Sequence, residues 1–137
     1  MLIESRPALD PELAALITGA AFGAGAGALE PDDDLEYLVG FVNGRAVACG
    51  AWQAGEPGVA ELRRLFVRPA FRGRGLARQM IVALEEEALA AGRPLLRLEF
   101  EAGLSAAVGL YQSAGYRRAP YGPYRARFEK RLPALVP

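Results

Sequence analysis

Apolar and polar positions along the chain fall into two rhythms, short extended runs and longer stretches of helical period. Leu35 to Val42 and Arg45 to Gln53 are apolar runs around Asn43-Gly44. Asn-Gly is a strong hairpin signal because both residues tolerate positive φ. Gly55-Glu56-Pro57-Gly58 makes the next turn, into a third run that ends at Val67. Pro69 stops it, since proline has no N–H to give to a ladder. These three runs predict an antiparallel meander. Ala77, Met80, Ile81, Leu84, Ala88 and Ala91 then recur at helical spacing, predicting an amphipathic helix from about Arg74 to Ala91. Gly92 and Pro94 end it. Glu85, Glu86 and Glu87 fall largely outside this apolar stripe and are expected in solvent.

The remaining elements follow in the same way. Leu2 to Ser5 predicts a short edge strand. Asp10 caps a helix that opens on Pro11, with Leu9, Leu13, Leu16, Ile17 and Ala20 as its buried stripe. The Gly23–Gly27 run and Pro31-Asp32-Asp33-Asp34 read as loop. The triple Asp is either simply solvated or a lure for a cation or amine. Leu95 to Phe100 is a strand, and strand–helix–strand within one sheet implies a parallel, right-handed crossover. Ala107, Leu110, Tyr111 and Ala114 line a second helix ended by Gly115. Tyr116 to Arg118 and Arg125 to Leu132 complete a mixed, mostly antiparallel sheet with helices on both faces. No repeat or second domain is visible in the 137 residues.

Composition narrows the chemistry. There is no histidine and one cysteine. Ser-His and Cys-His catalysis, most zinc sites and any intrachain disulfide are therefore out of reach. Cys49 lies in an apolar strand pattern and is expected to be a buried, inert thiol. Net charge is zero, so neither nucleic acid nor a membrane surface is indicated as a partner. Glu4, Pro7, Asp10 and Glu12 do not fit a leader peptide, and no apolar run would span a bilayer. A cytoplasmic location is expected.

The basic charge is concentrated in Arg63–Arg78, around Arg72-Gly73-Arg74-Gly75. This turn joins a strand to a helix. The first N–H groups of a helix lack internal partners and sit at the positive end of its dipole. Glycines remove the side chains that would hold an anion away. The turn can thus cradle a pyrophosphate, or be a Gly-rich connection with solvated arginines. The nucleotide-triphosphate loop is absent, and Arg78 stands where the dinucleotide fingerprint needs a third glycine or alanine. The pattern that fits is Arg/Gln-x-x-Gly-x-Gly/Ala. With Leu65-Phe66-Val67-Arg68-Pro69 before it, this stretch resembles the acetyl-CoA-binding motif of the GNAT superfamily of N-acetyltransferases. Gly109-Leu110-Tyr111-Gln112-Ser113-Ala114-Gly115-Tyr116 resembles the family's second motif, Leu-Tyr-x-x-x-Gly-Phe/Tyr. The likeness runs from about Leu35 to Lys130, and the order of elements is that of the GNAT fold.

This resemblance implies a site. The strand before the turn would carry a β-bulge and splay from its parallel neighbour, leaving a gap for pantetheine. Leu65, Phe66 and Val67 would lie along it, with main-chain groups of Phe66 and Val67 serving pantetheine and the thioester oxygen. Arg72, Gly73, Arg74, Gly75, Leu76, Ala77 and Arg78 would hold the pyrophosphate, mainly through N–H groups. Tyr111 takes the general-acid position, since a phenol stays protonated at neutral pH. Its alternative is a core aromatic. Glu61 matches a strand position that carries a catalytic glutamate in several relatives, or else only pairs with Arg63 or Arg97. Glu99 and Glu101 are the other candidate bases, and either could hold an ammonium substrate. Together with the triple Asp they tilt the reading towards cationic acceptors. Family members often have an asparagine seven residues before the tyrosine. Here Leu104 stands there, with Ser105 as the nearest replacement. Tyr121-Gly122-Pro123-Tyr124 resembles a Tyr-Gly-x-Tyr motif of some bacterial members, so Tyr121 and Tyr124 either line the acceptor mouth or pack a turn.

The function implied is transfer of an acetyl group from acetyl-CoA to the primary amine of a small molecule, without a metal. A homodimer is common in the family. The alternative is a non-catalytic acyl-CoA-binding module.

Overall fold

The computed structural model describes residues 1–19, 34–101, 103 and 105–133. Among the described residues seven strands form one sheet. They are β1 (Leu2–Arg6), β2 (Glu36–Val42), β3 (Arg45–Ala54), β4 (Val59–Val67), β5 (Leu95–Glu101), β6 (Arg117–Ala119) and β7 (Arg125–Arg131). Their spatial order is β1-β2-β3-β4-β5-β7-β6. Among these described strands only the β4–β5 pair is parallel. Every other pair is antiparallel. Three helices join them: α1 (Pro11–Gly19), α2 (Leu76–Ala90) and α3 (Ser105–Ser113). This is the mixed α/β architecture expected, with β1 at one edge.

Local chemistry accounts for the element boundaries. Asn43 and Gly44 take φ of 50° and 78°, as a two-residue hairpin turn between right-twisted strands requires. A carboxylate oxygen of Asp10 accepts from the backbone N–H groups of Glu12 and Leu13 at 3.1 and 3.0 Å, closing the start of α1. Leu13, Leu16 and Ile17 are buried beneath it. Leu9 is not part of that stripe. It precedes the cap, points outward and is 80% exposed. Ala20, the Gly23–Gly27 run, Asp32 and Asp33 lie outside the described residues. Helix α2 starts at Leu76, two residues after the predicted position, because Gly75 at its N-cap is left-handed.

Each face of the sheet has its own core. Helices α2 and α3 pack on one face, where Met80, Ile81, Leu84 and Tyr111 meet Leu62, Leu96, Leu98 and Phe128. Helix α1 packs on the other, over Tyr37, Val39, Cys49 and Ala51. On that second face, the β4–β5–β7 half carries charged residues in place of apolar ones. Glu61 and Arg63 on β4, Arg97 and Glu99 on β5, and Arg125, Arg127 and Glu129 on β7 fall at period-two positions there.

The acidic run on α2 departs from expectation. Glu85 is buried at 7% exposure, and Glu86 alone of the three is exposed. The Tyr116 hydroxyl donates to Glu85 at 2.9 Å and the Lys130 ammonium approaches it to 3.0 Å. The period places Glu85 beside Leu84 and Ala88 at the border of the stripe. Two partners from distant strands and loops decide which side it takes.

Candidate active site

The site is built where β4 and β5 separate. They pair in parallel only at Val59↔Leu95, Ala60↔Leu96 and Glu61↔Arg97. Beyond these residues no strand among the described residues pairs with the β5 side of β4. A bulge accompanies the divergence. Register with β3 jumps from Cys49↔Phe66 to Ala51↔Arg63, so Arg64 and Leu65 both oppose Gly50. Arg64 takes a φ of 54°, unusual for a residue with a side chain. Its guanidinium donates to the Tyr37 hydroxyl at 2.6 Å, and its carbonyl accepts from the Cys49 thiol at 3.5 Å. Burial pushes that thiol up to about 12, which makes Cys49 inert as a nucleophile. The bulge points Leu65 towards the α2 core and Phe66 towards the α1 core.

At the end of β4 the chain makes a single 3₁₀ turn, Pro69–Phe71, and enters the basic turn. Gly73 and Gly75 hold φ of 78° and 77°, and a Cβ at either would meet nothing within 4 Å. The turn therefore borders open space. Among the described residues no side chain caps the first turn of α2. The N–H groups of Leu76, Ala77 and Arg78 precede the first intrahelical bond, from Gln79 N–H to the Gly75 carbonyl at 3.1 Å. Such an uncapped, positively polarised end fits the phosphates of a coenzyme.

The arginines divide by task. Arg68 donates to the Ala46 carbonyl at 2.9 Å, and Arg78 donates to the Ser113 carbonyl at the end of α3. Arg72 donates to the Val67 carbonyl at 3.0 Å and lies over the Phe66 ring. Arg74 lies over the Phe71 ring and is exposed. Arg72 and Arg74 thus border the cradle, whereas Arg68 and Arg78 bind the turn to the hairpin and to α3. The Val67 carbonyl is already an acceptor for Arg72.

Tyr111 sits on α3 in the α2-side core. Its ring stacks on Phe100 of β5 at 6.0 Å and meets Tyr116 edge-on at 5.5 Å. Burial pushes its phenol well above the usual tyrosine range, so it stays protonated at neutral pH. Glu61 lies on the opposite face, 3.2 Å from Arg63. The fold therefore sets the two catalytic candidates on opposite faces of the sheet and not against each other.

The cleft beside the gap encloses about 300 Å³ and is lined by Glu61, Leu62, Arg63, Arg64, Arg97, Leu98, Glu99 and Arg125. Glu99 accepts from Arg127 at 2.8 and 3.2 Å. Burial alone would raise its carboxyl. Bonds from Arg127 and Tyr121, with Arg125 nearby, outweigh burial and hold the carboxyl below the usual range. The Tyr121 ring lies under Arg127 at 4.1 Å, while Tyr124 is 84% exposed. Leu104 and the side chains of Glu101 and Ser105 lie outside the described residues. Sequence reasoning passed over Arg125 and Arg127. Their alternation with Glu99 and Glu101 becomes visible only once β7 is paired with β5. Among the described residues no group of acidic or cysteine side chains could hold a metal ion.

Residues 9–116 match the Acetyltransferase (GNAT) family. The chain belongs to this family. An IAA acetyltransferase of Azospirillum brasilense is 38% identical over 93 residues, covering 66% of this chain and 61% of that protein. An acetyltransferase of Pectobacterium atrosepticum is 37% identical over 89 residues, covering 64% of this chain and 61% of that protein. The chain thus spans about three-fifths of the length of these curated relatives. The fold is also that of a GNAT family acetyltransferase from Elizabethkingia anophelis with acetyl-CoA bound. The TM-score is 0.81 over 96% of this chain and 97% of that one, at 14% identity. The first GNAT motif noted in the sequence lies on β4, the basic turn and the start of α2, and the second on α3 and the residues that follow it. No described helix is long and apolar enough to cross a membrane.

Proposed function

We propose that this GNAT chain is an N-acetyltransferase that moves an acetyl group from acetyl-CoA to the primary amine of a small molecule, by direct attack in a ternary complex. The observation that carries this is the union of two features at one end of β4. A strand gap opens there beside a bulge, and it runs into an uncapped helix start with two left-handed glycines. A long thiol ester with a pyrophosphate at its far end fits that shape. When bound, acetyl-CoA supplies an activated acyl group and a thiolate leaving group.

The chain's own residues then have distinct tasks. Backbone groups of Leu65, Phe66 and Val67 align the coenzyme along β4. N–H groups from Gly73 to Arg78 bind its phosphates, and Arg72 and Arg74 add charge. Glu61 takes the proton of the amine, directly or through water. Tyr111 keeps its proton until it is delivered to the departing sulfur. A cleft of about 300 Å³ admits a small amine, which favours an enzyme over a coenzyme sensor.

Calorimetric titration with acetyl-CoA, against free CoA and ATP, tests the coenzyme half of this reading. Micromolar binding is expected, weakened at least tenfold in Gly73→Val and Gly75→Val. These changes fill the cradle and strain φ near +78°. Absence of binding by the parent protein overturns the proposal.

A further inference from the structure

We infer that the acceptor amine also carries a carboxylate, and that Arg63 and Arg125 bind it. This rests on the transferase reading above and specifies its second substrate. Four of the eight residues that line the cleft are arginines and two are glutamates, so its wall is net cationic. Internal pairing leaves that balance in place, because it withdraws one glutamate and one arginine alike. Glu99 is engaged by Arg127 from outside the cleft wall, through two hydrogen bonds. It is not left to hold a substrate ammonium. Arg97 is 12% exposed and held by Glu129 at 2.9 Å and Glu56 at 3.2 Å. It belongs to the frame of the sheet. Arg64 is held by Tyr37.

Arg63 and Arg125 differ from these. Their side chains are 53% and 50% exposed. Arg125 reaches Glu99 only at 3.9 Å, while Glu99 takes its close bonds from Arg127. Arg63 shares Glu61 at 3.2 Å. Both stand on the same face of the sheet as Glu61, on either side of the opening between β4 and β5. A guanidinium fork recognises a carboxylate in two parallel bonds. An amino carboxylate would set its ammonium at Glu61 and its carboxylate on these arginines. Glu61 would then exchange the Arg63 guanidinium for the substrate's ammonium, and Arg63 would gain the substrate's carboxylate. Charge stays paired throughout. A cationic amine without an acid group could turn only to Glu61, which Arg63 already holds, in a wall of net positive charge. The expectation of a cationic acceptor, drawn from Glu99, Glu101 and the triple Asp in the sequence, loses the support of Glu99, which Arg127 already engages.

The test is thiol release from acetyl-CoA with matched acceptors: α-, β- and γ-amino carboxylates, their carboxamides, and the amines that lack the acid group. The best amino carboxylate is expected to exceed its carboxamide at least tenfold in kcat/KM, chiefly through KM. In Arg63→Gln and Arg125→Gln that ratio should fall to within about threefold of unity. A titration with acetyl-CoA checks that each variant still folds and binds coenzyme. A fully folded Arg125→Lys serves as the second variant and should restore part of the ratio. Turnover of amines with no preference for the carboxylate overturns this inference alone. So does a preference that survives both glutamine substitutions. Acetyl-CoA binding without thiol release from any acceptor overturns the transferase reading, and the inference falls with it.

Discussion

Tyr111 shows how one side chain draws its properties from its surroundings. A phenol in water already holds its proton at pH 7. Burial against Phe100 and Tyr116 pushes it further up. In the proposed reaction it would give a proton to the departing thiolate and not compete for one beforehand. Tyr111→Phe removes the hydroxyl and keeps the ring packing. Turnover should fall by roughly a hundredfold, within the usual range for general acids, while the coenzyme Kd stays within about threefold. Stopped-flow or steady-state thiol release measures the first and calorimetry the second. Unchanged turnover removes Tyr111 from the acid role. The parent's pH–rate profile should show no loss from tyrosine ionisation up to about pH 10. At this scale the sequence was informative about Tyr111, through its motif. It said little about Arg125, whose role appears only from its strand neighbour.

Helix α1 is a test of element-level reasoning. Asp10 and Pro11 are adjacent in sequence, and the cap they predict is found with two N–H donors on one carboxylate. Arg6 adds an ion pair at 2.9 Å. Burial would raise the Asp10 carboxyl, but the Leu13 N–H and Arg6 outweigh it and hold the carboxyl below its ordinary value of 3.8. A depressed carboxyl stabilises the fold above that ordinary value and loses its contribution as pH falls through the folded one. Asp10→Ala should therefore cost about 1 kcal/mol near neutral pH. The gap from the parent should narrow as pH drops below 3.8. Urea denaturation at several pH values measures both. Leu9, one residue earlier, shows where such local reasoning ends. Apolar character and helical spacing put it on the buried stripe, yet it precedes the cap and the chain turns it outward.

For the whole molecule, the ties between distant elements matter most. Glu85 of α2, Tyr116 after α3 and Lys130 of β7 meet in one cluster, and Lys130 also donates to the Ala114 carbonyl at 2.8 Å. This cluster and the Arg78–Ser113 bond moor both ends of the loop that follows α3. Removing one partner leaves a buried carboxylate short of a cation. Lys130→Met should destabilise the fold by about 2 kcal/mol, a value reduced from that of a fully buried pair because Lys130 keeps some solvent contact. The double change Glu85→Leu, Lys130→Met should recover much of this loss in urea denaturation. A double mutant no more stable than the single one would deny the coupling.

The sequence by itself determined most of the elements and the basic turn. Turn residues, caps and hydrophobic period act between neighbours within a few positions, so Asn43-Gly44, Asp10-Pro11 and Arg72-Gly73-Arg74-Gly75 were legible before any fold was known. The β2-β3-β4 meander and the parallel step from β4 to β5 also followed, because a helix between two strands of one sheet leaves few connections open, whereas the place of β7 between β5 and β6 did not. Only the tertiary structure decided what each charge faces. Glu85 became a buried anchor and Glu99 a neutralised one, because residues 31 and 28 positions away supplied their partners. It likewise decided that β4 and β5 part after Glu61, since a gap between strands belongs to neither strand alone. The polarity of the cleft belongs to that level too. Ion pairing depends on distance in space, which period and spacing along a chain do not encode.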